Sequence, residues 1–292
     1  MTRRIGAVPS RGVRPFRPLL AAPLVLVALL AGCGGSDEPS FGADDLAKLA
    51  ATPSAFSGAR FDVAVQETAP GKPPVEADAT GIVDEAGTHA LLDIDLRGLP
   101  PAKVGLKRAA VSAIADGLVL YLPPAAVAGG TLPRGVKWVK LDPRNLDGAP
   151  DTDSVDAVVQ DMPFRPLAYL GGSSGKLEKL GVESFNDGVA THYRVHVDFA
   201  RALARLPNGD SAERKVFERL LRTAPGGAAF DVWVDQDNRI VEAAGIYTRQ
   251  TAAGPRRVKT VMQVNSWQLE SAVVPPPARH TADLAAVLGS SG

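Results

Sequence analysis

Residues 88–96, Thr-His-Ala-Leu-Leu-Asp-Ile-Asp-Leu, decide the fold. From Leu92 onward, Leu92, Ile94 and Leu96 fall on one side of an extended chain, and the acidic residues between them fall on the other. Side chains alternate between the two faces of a β-strand at every residue, whereas a helix repeats every ~3.6 residues. The stretch therefore predicts a strand with one buried face and one solvated face.

The same two-residue period recurs along the chain. The run that starts at Arg60 places Phe61, Val63 and Val65 on one side. The other predicted strands are 75–84, 88–96, 117–122, 135–141, 189–199, 228–234, 239–249 and 256–269. Residues 235–238 predict a hairpin turn between two of these strands. Because strands mostly follow one another without a helix between them, antiparallel pairing is favoured.

Helical spacing occurs at few places, each bounded by capping or helix-breaking residues. Helices are predicted over 44–51, 152–160, 164–170, 211–223 and 281–288. Ser211 is expected to cap its helix, because its hydroxyl can accept a hydrogen bond from a free N–H group of the first turn. Residues 171–175, rich in glycine and serine, are expected to form a flexible loop after helix 164–170.

These elements predict an α+β fold in which many antiparallel strands form a curved sheet and a few helices pack on its apolar face. A doubly wound parallel sheet is excluded, since it needs a helix between successive strands. Residues 43–292 are predicted to form a single domain. With 45% hydrophobic residues in the chain, a domain of about 250 residues can build a core without a disulfide.

The N-terminal residues have the pattern of an export signal. Residues 1–32 contain five arginines and no acidic residue, and they end in the apolar stretch 19–32. About 14 residues in a helix span ~21 Å, less than the ~30 Å hydrocarbon core, so a signal peptide is predicted rather than a membrane span. Cys33, the only cysteine, directly follows Leu30, Ala31 and Gly32.

This arrangement resembles the lipobox of bacterial lipoproteins. The resemblance implies that the chain is cut before Cys33 and that the Cys33 thiol is diacylated. Residues 33–42 then form a lipidated flexible tether, and the protein is exported and anchored on the extracytoplasmic face of the cell membrane. The alternative is a buried structural cysteine in an ordinary secreted protein.

The charge of the processed chain bears on its partners. Removing residues 1–32 leaves 27 basic residues, which is 32 less the five arginines, against 32 acidic residues. A net charge near −5 argues against nucleic acid as a partner, because nucleic-acid binding depends on neutralising phosphates.

No motif in the sequence predicts an enzyme. Residues 171–175 match the pattern G-x-S-x-G, but a hydrolase needs a strand before the serine, and the preceding residues predict a helix. A serine hydrolase that uses Ser173 is therefore the last hypothesis. His192 and His196 would lie ~13 Å apart on a strand, too far to share one metal ion. Neither a metal nor a cofactor is predicted.

The apolar face of the sheet permits two interpretations. If the helices leave the concave side partly unfilled, a hydrophobic cavity results, and such a cavity can hold a lipid. If the helices fill that side, the interior is an ordinary core. Strand alternation selects the candidate lining residues, which are Leu92, Ile94, Leu120, Val195, Val197, Val232, Val234 and Met262.

Segments of the C-terminal part carry a family resemblance. They are Gly181–Ser184 with Asp187 and Gly188, Thr191–Val195 with Val197 and Asp198, Asp231–Asp235 before Asp237 and Asn238, and Val274–Pro277. In these residues the chain is similar to the LppX/LprA/LprF/LprG-type lipoproteins of actinobacteria, which share the fold of the lipoprotein carriers LolA and LolB. The charged segment 201–222 departs from the family pattern.

The resemblance implies a half-open antiparallel β-barrel wrapped over a few α-helices. Several members carry acylated lipids or glycolipids between sheet and helices, and others of the fold sense envelope stress. The sequence therefore predicts a non-enzymatic, membrane-anchored lipoprotein that binds or carries a lipid or another acylated hydrophobic molecule. The alternative is an envelope regulatory or scaffold protein with a filled interior and a protein partner.

Overall fold

The computed structural model describes residues 41–51, 57–97, 106–127, 132–145, 169–185, 188–209, 211–251, 253–267 and 272–289. These residues belong to one compact unit, Phe41–Gly292. The predicted signal peptide, Cys33, tether residues 34–40, predicted helix 152–160 and residues 164–168 of the next predicted helix lie outside the described residues. Those predictions stay predictions.

The described strands form a single twelve-stranded sheet. In chain order the strands are β1 (Arg60–Thr68), β2 (Val75–Val83), β3 (His89–Arg97), β4 (Ala110–Asp116), β5 (Val119–Leu122), β6 (Trp138–Leu141), β7 (Ser173–Phe185), β8 (Gly188–Val197), β9 (Ala228–Asp235), β10 (Ile240–Thr251), β11 (Gly254–Ser266) and β12 (Thr281–Asp283). Across the sheet the order is β12-β6-β5-β4-β3-β2-β1-β11-β10-β9-β8-β7.

Neighbouring strands are antiparallel, except that β12 runs parallel to β6. Within the described residues β12 and β7 are the two edges, so the curved sheet does not close on itself. A curved, unclosed, mostly antiparallel sheet with few helices confirms the predicted fold class.

The alternation read from the sequence is the burial pattern of the structure. On β3, Leu92, Ile94 and Leu96 are at most 4% exposed, whereas Leu91, directly before Leu92, is 48% exposed. We call the side of the sheet that carries Leu92 the inner face and the opposite side the outer face. Register carries the inner face across all strands, because residues directly opposite each other point to the same side.

Four α-helices lie within the described residues: α1 (Ala43–Ala51), α2 (Phe199–Arg205), α3 (Ala212–Thr223) and α4 (Leu284–Gly289). The predicted helix 211–223 is confirmed as α3, and the Ser211 hydroxyl caps it by accepting the Arg214 N–H at 3.1 Å. The predicted helix 281–288 is wrong at its start, because Thr281–Asp283 pairs with β6 and α4 begins only at Leu284.

The sequence did not predict α2. Its cap is Asp198, whose carboxylate accepts the N–H groups of Ala200 at 2.8 Å and Arg201 at 3.3 Å. Arg201 and Arg205 of α2 each donate a hydrogen bond to Asp44 at 2.6 Å, and these bonds tie α2 to α1.

The prediction of a flexible loop at 171–175 is wrong. Tyr169–Gly172 forms a 3₁₀ turn, and Ser173 begins β7. A Cβ atom on Gly172 would lie 2.3 Å from the Asp198 carbonyl oxygen, so only glycine permits this contact with the start of α2. The small residues therefore serve close packing, which composition alone does not distinguish from flexibility.

Helices α2 and α3 pack on the inner face. Helix α3 contacts α2, β10 and the 3₁₀ turn Pro143–Asn145 that follows β6. Since β10 and β6 belong to opposite halves of the strand order, α3 crosses the inner face from one half to the other. The core of the protein therefore lies between the inner face and these helices.

Candidate functional site

The inner face is a nearly continuous apolar surface. Register aligns its residues in rows that cross the strands, and large side chains alternate with small ones along each row. The central row runs Val232, Ala243, Met262, Val63, Ala79, Ile94 and Val111, and each of these residues is at most 5% exposed.

All eight predicted lining residues lie on this face and are at most 4% exposed. Strand alternation therefore located buried positions correctly. Three of them, Ile94, Val232 and Met262, share the central row. Burial is expected both for residues that line a cavity and for residues that fill a core, so ligand contact stays a prediction.

One half of the inner face is filled by aromatic rings. Tyr169 lies 5.8 Å from both Phe199 and Phe217, and 6.1 Å from Phe230, between ring centroids. Tyr247 meets Phe199 edge to face at 5.9 Å. We call these five residues the aromatic cluster. It joins α2 and α3 to β9 and β10, and such ring pairs stabilise a core beyond the area that they bury.

The other half of the inner face combines small residues with the larger side chains of β3 and β5. Strand β2 contributes Ala77, Ala79 and Gly81, and β4 contributes Ala113 and Ala115. We call these five residues the small-residue region. They flank β3, whose inner side chains Leu92, Ile94 and Leu96 are larger. The Phe61 ring covers Gly81, since a Cβ atom there would lie 2.5 Å from the ring.

Polar side chains occupy one end of the inner face. Glu67 is 6% exposed and accepts hydrogen bonds from Arg249 and Arg256. Thr260 is 2% exposed, and its hydroxyl has no hydrogen-bond partner within the part of the chain that the structure describes. Glu67 was not among the predicted site residues, although the period of Phe61, Val63 and Val65 places it on the same face.

A second group of polar residues lies on the outer face of β7 to β9. The Glu183 carboxylate pairs with His192 Nδ1 at 2.7 Å and accepts the Trp233 indole N–H at 3.0 Å. The His192 and Trp233 rings stack at 4.1 Å. Arg194 donates to Asp231 at 2.8 Å. His192 is therefore held by the side chains of Glu183 and Trp233, which the sequence did not predict.

Two carboxyl groups near this stack have shifted pKa values in opposite directions. The Trp233 hydrogen bond, helped by His192, lowers the pKa of Glu183 against a smaller opposing effect of burial. Burial raises the pKa of Glu242 on β10, and the negative charge of Glu183 raises it further, while His192 and Lys259 oppose the rise. Each shift follows from whether the charged form has a donor nearby.

Ser173 lies in the core, and its geometry offers nothing for acyl transfer. Its side chain is 0% exposed, and its hydroxyl donates to the Leu170 carbonyl at 2.6 Å. Within the described residues no group of three or more His, Cys, Asp or Glu side chains is placed to hold a metal ion. No described helix is long and apolar enough to cross a membrane.

No family model and no curated protein matches the sequence. Solved structures similar to this chain include a LolA superfamily protein, NE2245 from Nitrosomonas europaea, with 10% identity over 78% of this chain and 94% of that chain and a TM-score of 0.33. LprF from Mycobacterium bovis is 12% identical over 80% of this chain and 96% of that chain, with a TM-score of 0.36. The MucA/MucB complex of Pseudomonas aeruginosa matches with 12% identity over 78% of this chain and 59% of that chain, with a TM-score of 0.28.

Proposed function

We propose that this protein is an exported lipoprotein, anchored through acylated Cys33 on the extracytoplasmic face of the cell membrane, which binds or carries a lipid over its inner face. The ligand is a lipid, a glycolipid or another acylated molecule, held without covalent chemistry. The proposal includes membership of the LppX/LprG-type lipoproteins, on the sequence segments that resemble them.

The observation that carries the proposal is the small-residue region. Ala77, Ala79, Ala113 and Ala115 are buried beside the apolar side chains of β3. A surface built of alanines next to leucine and isoleucine offers grooves in which a methylene chain makes many van der Waals contacts. The aromatic cluster already fills the other half, so the ligand belongs over β2 to β4. Leu92, Ile94 and Leu120 are the predicted lining residues on that side.

Burial of a hydrocarbon chain supplies enough free energy for such binding. Each buried methylene contributes about 0.8 kcal/mol, so one chain of about 14 methylenes contributes on the order of 10 kcal/mol before ordering is counted. Polar recognition is then unnecessary for tight binding, and the scarcity of polar groups over β2 to β4 is no obstacle.

Native mass spectrometry of the purified full chain, combined with organic extraction, tests the proposal. Extraction releases a bound ligand but leaves the covalent acyl chains on Cys33 in place. The mass of the ligand can therefore be distinguished from the mass of the anchor. We expect a ligand in the extract, and we expect Ala113→Phe to lower its amount about tenfold or more, as a loss of ~1.4 kcal/mol in binding would do.

Ala110→Phe is the matched control, since Ala110 lies on the same strand but is exposed on the outer face. It should leave the bound ligand unchanged. A chain that carries no lipid, and takes up none when lipid is offered, would contradict the proposal. So would a strong loss of stability in Ala113→Phe with no ligand to displace, because overpacking destabilises a core that is already full.

The alternative function keeps the anchor but replaces the lipid with a protein partner. The aromatic cluster supports this alternative, because it fills half of the inner face with core side chains. In that case affinity isolation from membranes returns one partner in fixed stoichiometry, whether or not lipid is extracted first.

A further inference from the structure

Exposed apolar side chains concentrate at one place. Among the described residues, six large hydrophobic side chains are exposed, and three of them, Leu180, Val182 and Val189, lie on the β7–β8 hairpin. Val182 is 61% exposed. We call these three residues the hairpin strip. Single exposed apolar residues are ordinary on a protein surface, whereas a contiguous group marks a contact.

The hairpin strip continues the inner face. Register places Val182 opposite Thr191 and Val189 opposite Ser184, so both valines point to the same side as Tyr193. Leu180 is the extra residue of the bulge between Lys179 and Gly181. On the next strand Thr191 lies opposite Val234, which is 4% exposed. The line from Val234 to Val182 thus passes only through Thr191, and Lys179 and Ser184 are polar residues on the same side of the hairpin.

The first described residue contacts the strand that leads to this hairpin. Phe41 is the first described residue, and its ring lies 5.4 Å from that of Tyr193 on β8. Cys33 precedes Phe41 by eight residues, and a Gly/Ser-containing linker of that length reaches ~14–17 Å on average. Val189 lies four strand residues beyond Tyr193, which is ~13 Å. The strip is therefore within the reach that the linker allows from the membrane.

We propose that the hairpin strip enters the surface of the lipid bilayer. The proposal rests on the proposed function, since it requires the anchor at Cys33. The occupant of the strip is the bilayer, because a surface that an eight-residue linker holds beside a membrane meets lipid before any other partner. Its aliphatic side chains suit the boundary between headgroups and acyl chains.

Fluorescence quenching by brominated lipid tests the contact. Acylated Cys33 leaves no free thiol, so a single cysteine introduced by Val182→Cys takes up a thiol-reactive, environment-sensitive dye. The anchored full chain is reconstituted in phosphatidylcholine vesicles with or without bromine on the acyl chains. We expect brominated lipid to lower the emission at position 182 about twofold or more, as burial at the headgroup boundary implies.

Leu91→Cys and Ile246→Cys are matched controls, because both side chains are exposed, apolar and far from the hairpin, on β3 and β10. Their emission should not change with bromination. Equal quenching at 182 and 91, or none at 182, would overturn the proposal. Emission at 182 that depends on protein concentration instead of bromination would assign the strip to a second copy of the chain, which also overturns it.

The same samples separate this proposal from the proposed function. Flotation of the vesicles reports the anchor, and organic extraction reports the ligand. The anchor and the ligand can therefore both be present even if the hairpin strip stays in water. With the dye on Val189→Cys, Val182→Asp should remove most of the quenching without changing the folding, and Leu91→Asp should not.

Discussion

The two halves of the inner face differ in how they are filled. Over β8 to β10, the aromatic cluster packs against α2 and α3, and ring contacts at 5.8–6.3 Å link all its members. Over β2 to β4, the sheet presents alanines and one glycine beside the leucines of β3. The same curved sheet therefore has one half filled by contacting aromatic rings and one half in which small side chains alternate with the leucines and isoleucine of β3.

The aromatic half is expected to contribute most of the stability, and the small-residue half is expected to contact the ligand. Large rings that touch one another on several elements hold helices to the sheet, and their loss opens cavities. Small side chains contribute little to stability but set the depth of the surface that a ligand meets. If the comparison is right, substitutions in the two halves have different consequences even when their chemistry is the same.

The largest expected effect is in the aromatic half. Phe217 is 1% exposed and contacts both Tyr169 and Phe199. Phe217→Ala should lower the free energy of unfolding by about 3–5 kcal/mol, since it removes a buried ring and leaves a cavity. Denaturant unfolding of the purified chain measures this change. Leu91→Ala, at an exposed apolar position, should change stability by less than about 0.5 kcal/mol. A similar loss in both variants would contradict a special contribution of the aromatic cluster to stability.

Two glycines under aromatic rings, one in each half, test how tightly each half is packed. A Cβ atom on Gly245 would lie 2.4 Å from the Phe230 ring, and one on Gly81 would lie 2.5 Å from the Phe61 ring. Gly245→Ala should destabilise by about 1–3 kcal/mol, because Phe230 is confined within the aromatic cluster. Gly81→Ala should destabilise less if the small-residue region has space into which Phe61 and Leu92, whose Cδ2 would lie 2.7 Å from the added Cβ atom, can both shift.

The control for this pair is Gly181→Ala on β7, where nothing lies within 4 Å of the added Cβ atom. Its unfolding free energy should match that of the unmodified chain. Equal losses for Gly81→Ala and Gly245→Ala would mean that the half over β2 to β4 is as tightly filled as the other, and the lipid site would lose its support.

The sheet was predictable because its signal is local. Nine of the described strands carry an alternation that predicted them, so Leu92 and Val232 were assigned to the buried face without knowledge of their neighbours, whereas β4, β7 and β12 were not predicted. Ser173 was misassigned because glycine and serine suit both a loop and a tight contact. What decides between the two is Asp198, which is distant in sequence and close only after folding.

The polar contacts of the outer face could not be predicted for a related reason. Glu183 reaches His192 and Trp233 only because β7, β8 and β9 pair in one register. That register includes a bulge between Lys179 and Gly181, and a shift of one residue would move every side chain to the other face. The composition of β7 does not mark the bulge position. The division into an aromatic and a small-residue half likewise depends on strand order, which joins β1 to β11.

A pH-dependent prediction concerns the turn between β2 and β3, at the edge of the small-residue half. Burial alone would raise the pKa of Asp84, but the N–H groups of Thr88 and His89 and the His89 ring outweigh burial and lower it. A lowered pKa in the folded state stabilises the protein above the unfolded-state pKa, and this stability is lost as pH falls through the folded pKa.

Asp84→Asn should therefore destabilise by about 1–3 kcal/mol at pH 7, because buried donors lose a charged acceptor. The difference from the unmodified chain should shrink as the pH is lowered below about 4. Asp62→Asn, at an exposed position on β1, is the control and should show neither effect. A difference that is constant from pH 7 to pH 3 would exclude the carboxylate as the source.

The smallest expected effect is a gain in stability, and it concerns Glu242 on the outer face of β10. Burial raises the pKa of Glu242, with Glu183 adding to the rise and His192 and Lys259 opposing it. The folded chain then binds a proton more tightly than the unfolded chain does, so ionised Glu242 destabilises the fold at neutral pH. Glu242→Gln should accordingly raise the midpoint of denaturant unfolding slightly at pH 7. The gain should fade as pH drops through the raised pKa and vanish below the ordinary value of 4.5. Opposite pH trends in Asp84→Asn and Glu242→Gln would show that the two halves differ in their electrostatics as well as in their packing, whereas a gain for Glu242→Gln that persists at pH 4 would assign it to packing alone.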